Sequence, residues 1–336
     1  MKCYISKNYR NMGAAGDKAK TDIEAVMDTL GYVNIGLKQG RSKNAVKAYF
    51  ITLFSVLKGV MSLKKGDTLV LQYPLKKYYD FVVKQANRRG VKVITVIHDL
   101  GSFRRKKLSV AQEVKRLNRS YAVVVHSPAM KRWLEEKGVT SRLVVLGLFD
   151  YLSDSTPVVH EGINTGRPRL MFAGNVGPVA NKWIYELGKN EPDVELVLYG
   201  GGMDHAAKTP NMKEMGFVDS DTLISSAQGD YGVVWYGSSL DEGAGPLGDY
   251  LQYNAPHKTS LYLRAGIPVI IWDKAALADI VTESGVGIAV PTLRNIGEVL
   301  QKVTPEQYAA MRQNAAAIAG KLATGSFIRK ALADAE

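Results

Sequence analysis

Short apolar runs, each ending at a polar or glycine-bearing step, constrain this chain more than any other feature. In the first half they fall at residues 2–6, 68–72 (TLVLQ), 92–97 (KVITVI), 122–125 (AVVV) and 143–146 (LVVL). Helical stretches fit between them: Ile23, Val26, Met27 and Leu30 recur at helical spacing up to Gly31, and residues 78–89 and 129–137 read the same way. A continuous apolar run suits a strand buried on both faces, and such strands alternating with helices give an open parallel sheet covered on both sides. Residues 153–169 (SDSTPVVHEGINTGRPR), rich in Pro, Gly and polar side chains, read as a linker. A second alternation follows, with strands at 170–173, 195–199, 231–235 and 269–272 and a helical tail over 304–333 broken near Thr324 and Gly325. The expected fold class is α/β, with two Rossmann-like doubly wound domains facing across a cleft. They span residues 1–152 and 165–323, and a helix at about 324–336 returns to the first. With 336 residues, each domain can bury its own core.

Charge is divided unevenly. Residues 1–150 carry 29 Lys and Arg against 11 Asp and Glu, whereas the rest carry 15 against 21. A strongly basic half faces something anionic: nucleic acid, a membrane surface or a pyrophosphate-bearing molecule. Nucleic acid is set aside, because no basic motif interleaved with aromatics and no reading helix is present. The single cysteine, Cys3, excludes a disulfide framework and a cysteine zinc site, and the five histidines are too scattered for a metal site. The start MKCYISKNYR has no apolar leader, and the apolar stretch 48–61 is interrupted by Lys58 and too short to span a bilayer. A cytoplasmic chain, soluble or peripheral at the inner membrane face, is expected.

In open α/β sheets ligands bind beyond the carboxyl ends of the strands. In the first half those positions are Gly13, Gly16, Asp17, Lys18, Tyr73, His98, Asp99 and His126. Gly13 and Gly16 allow close backbone approach at a helix start, or form a plain turn. His98 and Asp99 are placed to take a proton from a hydroxyl. In the second half the positions are Gly174, Asn175, Lys182, Tyr199, Gly200, Gly201, Phe217, Val218 and Trp235. Residues 248–271 (GDYLQYNAPHKTSLYLRAGIPVII) run a Pro-punctuated loop into His257, Lys258, Thr259, Ser260 and Tyr262 at a helix start, an anion site in which unpaired N–H groups, a lysine and hydroxyls coincide. Asp219 and Asp221, spaced like a metal-holding pair, sit directly before a helical pattern and read as a helix cap.

The FAGN, LYGGG, GFV and AGIPVI segments resemble the GT-B class of nucleotide-sugar glycosyltransferases over essentially the whole chain. GDYL at 248–251, NAPHKTSLYL at 254–263, WDKAALAD at 272–279 and TGSF at 324–327 are similar to bacterial O-antigen β-1,6-galactofuranosyltransferases, and more distantly to the glucosyltransferases that modify serine-rich adhesins. Where many retaining relatives carry two glutamates eight positions apart, this chain has Tyr253 and Leu261.

The resemblance implies an inverting hexosyltransferase that uses a UDP-sugar, best UDP-galactofuranose, as donor substrate, with no cofactor and no metal. Uracil would lie near Tyr199 to Gly201 and Phe217, and the diphosphate against Lys258, Thr259 and Ser260. A glycan acceptor, free or carried on a lipid pyrophosphate, would lie on the basic domain, with Asp99, then His98, then Asp17 as general base. A UDP-glucose donor, a non-catalytic glycan-binding partner subunit and a sugar-nucleotide epimerase stay open, and the sequence leaves room for a homo-oligomer.

Overall fold

The computed structural model describes residues 1–9, 15–103, 107–157, 166–243 and 245–336. They form two compact units, Met1–Asp150 with Thr324–Glu336, and Tyr151–Ala323.

The first unit is built on strands β1 (Lys2–Tyr4), β2 (Val33–Asn34), β3 (Thr68–Tyr73), β4 (Lys92–Ile97), β5 (Ala122–Val125) and β6 (Arg142–Val145). They pair in parallel in the order β2-β1-β3-β4-β5-β6. All four residues of β5 and five of six in β4 are buried, as unbroken apolar runs between two helical layers require. Two polar clusters inside this core are hydrogen-bonded. The Tyr79 hydroxyl lies 2.9 Å from both Thr95 and Ser120 Oγ, and buried Glu113 accepts from the Tyr73 hydroxyl (2.7 Å) and the Gly101 and Ser102 amides. The C-terminal helix Ser326–Ala335 packs on β5, β6 and the helix Ala15–Thr29. Its first turn is fixed by the Asp150 carboxylate, which accepts from the Phe327 and Ile328 amides at 3.1 and 2.7 Å.

The apolar stretch read as too short to span a bilayer is longer than expected. It forms the helix Ala45–Ser62, long and apolar enough to cross a bilayer by length and composition. One of its faces is nevertheless packed on the segments that follow β1 and β2. Ser55 Oγ donates to the Ser6 carbonyl (2.5 Å) and accepts from the Leu37 amide (2.9 Å), and Gly59 lies against Ile5.

The second unit contains β7 (Arg169–Ala173), β8 (Glu195–Tyr199), β9 (Met212–Gly216), β10 (Tyr231–Val234), β11 (Val269–Trp272) and β12 (Gly287–Val290). Their order is β12-β11-β10-β7-β8-β9, again all parallel. The direction of winding reverses between β7 and β10, so the crevice past these two strands is where a ligand of this fold binds. The helix His257–Arg264 crosses β10 so closely that any Cβ on Gly232 would lie 2.3 Å from the Tyr262 ring. Of the stretch read as a linker, residues 158–165 lie outside the described residues.

Strands β2, β9 and β12 have no counterpart among the apolar runs. They are edge or near-edge strands, with two residues in β2, one buried residue in β9 (MKEMG) and one in β12 (GIAV).

Candidate active site

Lys258 occupies the reversal point of the second sheet. It is the second residue of the helix His257–Arg264, one turn before Tyr262, whose hydroxyl accepts from the Ala173 amide at the end of β7 (2.9 Å). Residues four apart share a helix face, so the bond that docks Tyr262 aims Lys258 at the same strand end. Its Nζ stands 3.8 Å from the centroid of Phe172, on β7, and 4.4 Å from that of Tyr236, just past β10. A Cβ on Gly174 would lie 3.8 Å from Nζ, which puts the ammonium directly under the loop following β7. Two aromatic faces attract a cation but do not neutralise it. Burial away from water, with no carboxylate beside it among the described residues, pushes its pKa down from 10.5 to about 7. A cation so placed gains most from an anionic ligand.

The rest of the helix start adds hydrogen-bonding capacity. Pro256 precedes it and supplies no side-chain cap. Thr259 is fully buried, and its Oγ1 has no hydrogen-bond partner; the same holds for Asn254 Oδ1 in the preceding loop. Ser260 is buried beside Thr259. His257 stacks on Tyr151 at 4.6 Å.

Three glycine-bearing loops lace together above β7 and β8. Gly174 N–H donates to the Tyr199 carbonyl (2.8 Å), Val176 N–H to Gly201 (3.0 Å) and Gly200 N–H to Gly216 (2.7 Å), while Asn175 Oδ1 accepts from Gly177 (2.8 Å). Gly200 has φ +136°, and a Cβ there would sit 1.7 Å from the Gly174 carbonyl oxygen. Backbone blocks backbone at that distance, so Gly200→Ala must spread the two loops. We expect it to weaken binding of a nucleotide to this unit at least about tenfold and to lower stability by about 1–3 kcal/mol, read by calorimetry and urea unfolding.

Beyond Gly216, Phe217 is 75% exposed and presents a free ring face at the rim, with half-buried Val218 next to it. Asp219 caps the helix Ser220–Ser226 by accepting from the Asp221 and Thr222 amides.

Three aromatic positions expected to touch a ligand are core residues instead. The Tyr199 ring is buried and its hydroxyl accepts from the Gln228 amide (2.8 Å). Trp235 is fully buried with its indole N–H on the Ser239 carbonyl (2.9 Å), and the Tyr262 ring is fully buried. Each has its polar atom engaged inside the protein, so at Tyr199 only the adjoining main chain remains for recognition. Lys182 is exposed and paired with Glu186 at 3.2 Å.

In the first unit the strand ends after β4 and β5 converge on Phe149. His98 stacks on that ring (5.4 Å, 18° between planes) and His126 meets it edge-on (5.0 Å). His126 is buried, donates Nε2–H to the Ile97 carbonyl (3.0 Å), and has its pKa pushed down to about 4 by burial. It is a neutral structural residue, not the ligand contact expected. Tyr73, also expected at the site, is fully buried in edge contact with Tyr79 and donates to Glu113.

His98 and Asp99 are half-buried past β4. Sequence reasoning missed what orients His98. Gln72 Nε2 donates to the Lys20 carbonyl (3.1 Å), so its Oε1 is the atom that faces His98 Nε2 at 2.7 Å. An amide oxygen only accepts; the imidazole therefore carries its proton on Nε2, leaving Nδ1 as its acceptor nitrogen. Gln72 is steadied in turn by Glu24, a 3%-exposed carboxyl that accepts from Ser6 Oγ (2.7 Å), the Tyr9 hydroxyl and Gln39 (3.0 Å) and whose pKa is raised by burial. A glutamate on the apolar face of Ile23, Val26 and Met27 was the available signal.

Gly13 lies outside the described residues. Gly16, Asp17 and Lys18 fall in the first turn of the helix Ala15–Thr29, where Lys18 pairs with Asp22 (3.0 Å) and Asp17 with Lys20 (3.7 Å).

The two halves of one family description match in order: Glucosyltransferase 3-like, N-terminal domain over residues 2–148, and Glucosyltransferase 3-like, C-terminal domain over residues 170–335. The chain is 28% identical over 326 residues to the beta-1,6-galactofuranosyltransferase WbbI of Escherichia coli K12, covering 96% of this chain and 94% of that one. It is 25% identical to glucosyltransferase 3 of Streptococcus gordonii, covering 94% and 92%. Among solved structures it resembles Anabaena HepE, crystallised with UDP and glucose, with a TM-score of 0.61 at 15% identity over 99% of this chain and 98% of that one. With two parallel Rossmann-like units and both domain descriptions matched along its length, the chain belongs to the glucosyltransferase 3-like family of hexosyltransferases with the GT-B fold.

Proposed function

We propose that this enzyme transfers galactofuranose from UDP-galactofuranose to a hydroxyl of a bacterial surface glycan in the cytoplasm, with inversion at the anomeric carbon and without a metal ion. The observation that carries the reading is Lys258, a half-buried lysine at the sheet reversal point with aromatic faces around its ammonium and no carboxylate beside it among the described residues. The donor diphosphate supplies the missing anion. The Gly174 and Gly200 loops admit the nucleotide close to main chain, and the exposed Phe217 ring offers a face to uracil.

Breaking the anomeric C–O bond leaves a full extra negative charge on the UDP leaving group. Lys258 meets that charge, as a preplaced cation should, more strongly in the transition state than in the ground state. The acceptor oxygen forms the new bond from the opposite side of the sugar ring, and its proton passes to a base on the first unit. Asp99 is our first choice, with His98 Nδ1 second and Asp17 third. Similarity to WbbI favours the furanose donor; similarity to the streptococcal glucosyltransferase 3 supports UDP-glucose as the second reading.

The test is a panel of UDP-sugars with simple and lipid-linked glycosides, scored by UDP release with EDTA present. Highest turnover with UDP-galactofuranose and a β-configured product by NMR is the expected result. Preference for UDP-glucose selects the second reading. Consumption of a UDP-sugar without any acceptor overturns transfer in favour of epimerisation, and loss of activity restored only by a divalent cation overturns the metal-free mechanism.

A further inference from the structure

The helix Ala45–Ser62 has two apolar faces of opposite character. Its inner face, with Ala48, Ser55, Val56, Gly59 and Val60, is buried, Ser55 and Gly59 lying against the segment after β1. The other face carries Val46, Tyr49, Phe50, Phe54, Leu57 and Met61, all large and all exposed, with Phe54 at 54% and Met61 at 74%. Spacings of three, four and seven place these six on one stripe opposite the buried one. The side chains are already ordered into a surface: Tyr49 meets Phe50 edge-on at 5.3 Å, and Phe50 stacks on Phe54 at 6.1 Å. At about 27 Å for 18 residues, this is a long apolar strip for a protein to leave in water.

The charge around the stripe identifies what covers it. From residue 29 to residue 66 there is no Asp or Glu, while seven Lys or Arg fall in the same interval, all of them exposed. Lys43 and Lys47 stand at the start of the helix, Lys64 and Lys65 just past its end, and Lys58 lies on the same flank as Lys47. Lys77 extends the cationic rim, with its Nζ 4.3 Å from the Tyr49 ring centroid.

A second copy of this chain would have to bring the same surface against itself, because the commonest dimers are two-fold symmetric. That would oppose two acid-free cationic rims. An anionic bilayer suits both parts: the aromatic stripe enters the headgroup boundary, and the lysines remain at the level of the lipid phosphates.

We propose that this helix docks the enzyme flat on an anionic membrane surface, with Phe50 and Phe54 as its inserted anchors. The surface is separate from the sugar-transfer residues, so the proposal stands independently of which donor is used.

Flotation of the full chain with large vesicles tests it. Binding to phosphatidylglycerol–phosphatidylethanolamine vesicles should exceed binding to phosphatidylcholine at least about tenfold and weaken with added salt, since each exposed cation near an anionic surface contributes about fivefold. Phe50→Ser with Phe54→Ser should lower anionic-vesicle binding at least about tenfold, and Lys43→Glu with Lys47→Glu should do so comparably. Both pairs are exposed, so the thermal unfolding midpoint should stay unchanged. In Phe54→Trp the emission should shift to the blue only when vesicles are added, and lipids with brominated chains should quench it.

Failure of the wild type to float with anionic vesicles, or equal binding by the Phe50→Ser/Phe54→Ser variant, overturns the proposal. So does a sedimenting dimer that this variant splits while the Phe54→Trp emission is already blue-shifted without lipid, because a second copy would then cover the stripe.

Discussion

Lys258→Ala lowers turnover at saturating donor roughly 100- to 1000-fold, the usual cost of removing one preplaced group that stabilises leaving-group charge. The size follows from the position of the ammonium. Its attraction to Phe172 and Tyr236 is modest, and burial has already removed much of its water, so the charge developing on the diphosphate falls on a group with little other compensation. The fold should survive, because Tyr262 and not Lys258 ties the helix to β7. Lys258→Arg should recover little, since a planar guanidinium does not fit where a compact ammonium sits between two rings at 3.8 and 4.4 Å. Steady-state kinetics with an unfolding curve separates lost chemistry from lost structure.

The same lysine has a pH signature. The unfolded chain holds this proton to about 10.5, whereas the folded chain releases it above about 7. Burying the ammonium therefore costs stability in full below pH 7, and the cost is relieved as pH rises from about 7 to 10.5. Ligand binding runs the other way. A diphosphate favours the charged form, so above pH 7 each UDP bound draws in a proton, and affinity should fall by up to about tenfold per pH unit.

Removing the base has the other large effect. Asp99→Asn should lower kcat by about 100- to 10,000-fold while leaving UDP binding unchanged, because the base acts on the acceptor and not on the nucleotide. The pH profile distinguishes the two neighbours. With a carboxylate as base the acid limb of kcat/KM bends at lower pH than with an imidazole as base. If His98 is the base, Gln72→Leu should also lower kcat, because the Lys20–Gln72–His98 chain that leaves Nδ1 as acceptor would be broken. Full activity of Asp99→Asn with an unchanged profile excludes the carboxylate.

Most of the framework was readable from residue order. Each buried strand is a run of apolar residues without interruption, and the runs alternate with helices, which leaves a parallel sheet as the way to bury both faces. The edge strands escaped because exposure lets them carry ordinary residues: MKEMG at β9 has no apolar run to find. In the site, Lys258 and the glycines could be picked out because backbone and charge requirements show in residue type. Tyr73, Tyr199 and Trp235 were misplaced for the opposite reason. An aromatic at a strand end has the same appearance whether it faces a ligand or the core, and the hydroxyl or indole partner that settles the matter lies 4 to 40 residues away in sequence. The Glu24–Gln72 support of His98 is likewise a long-range arrangement, drawn together from a helix and two strands.

The most direct test is calorimetric titration of UDP into the wild type and Lys258→Met at pH 8, in two buffers of different ionisation enthalpy. The wild type should bind with uptake of nearly one proton, and Lys258→Met at least about tenfold more weakly with none. Equal affinity in both proteins, with no dependence of the wild-type heat on buffer, would contradict the assignment of Lys258 to the diphosphate.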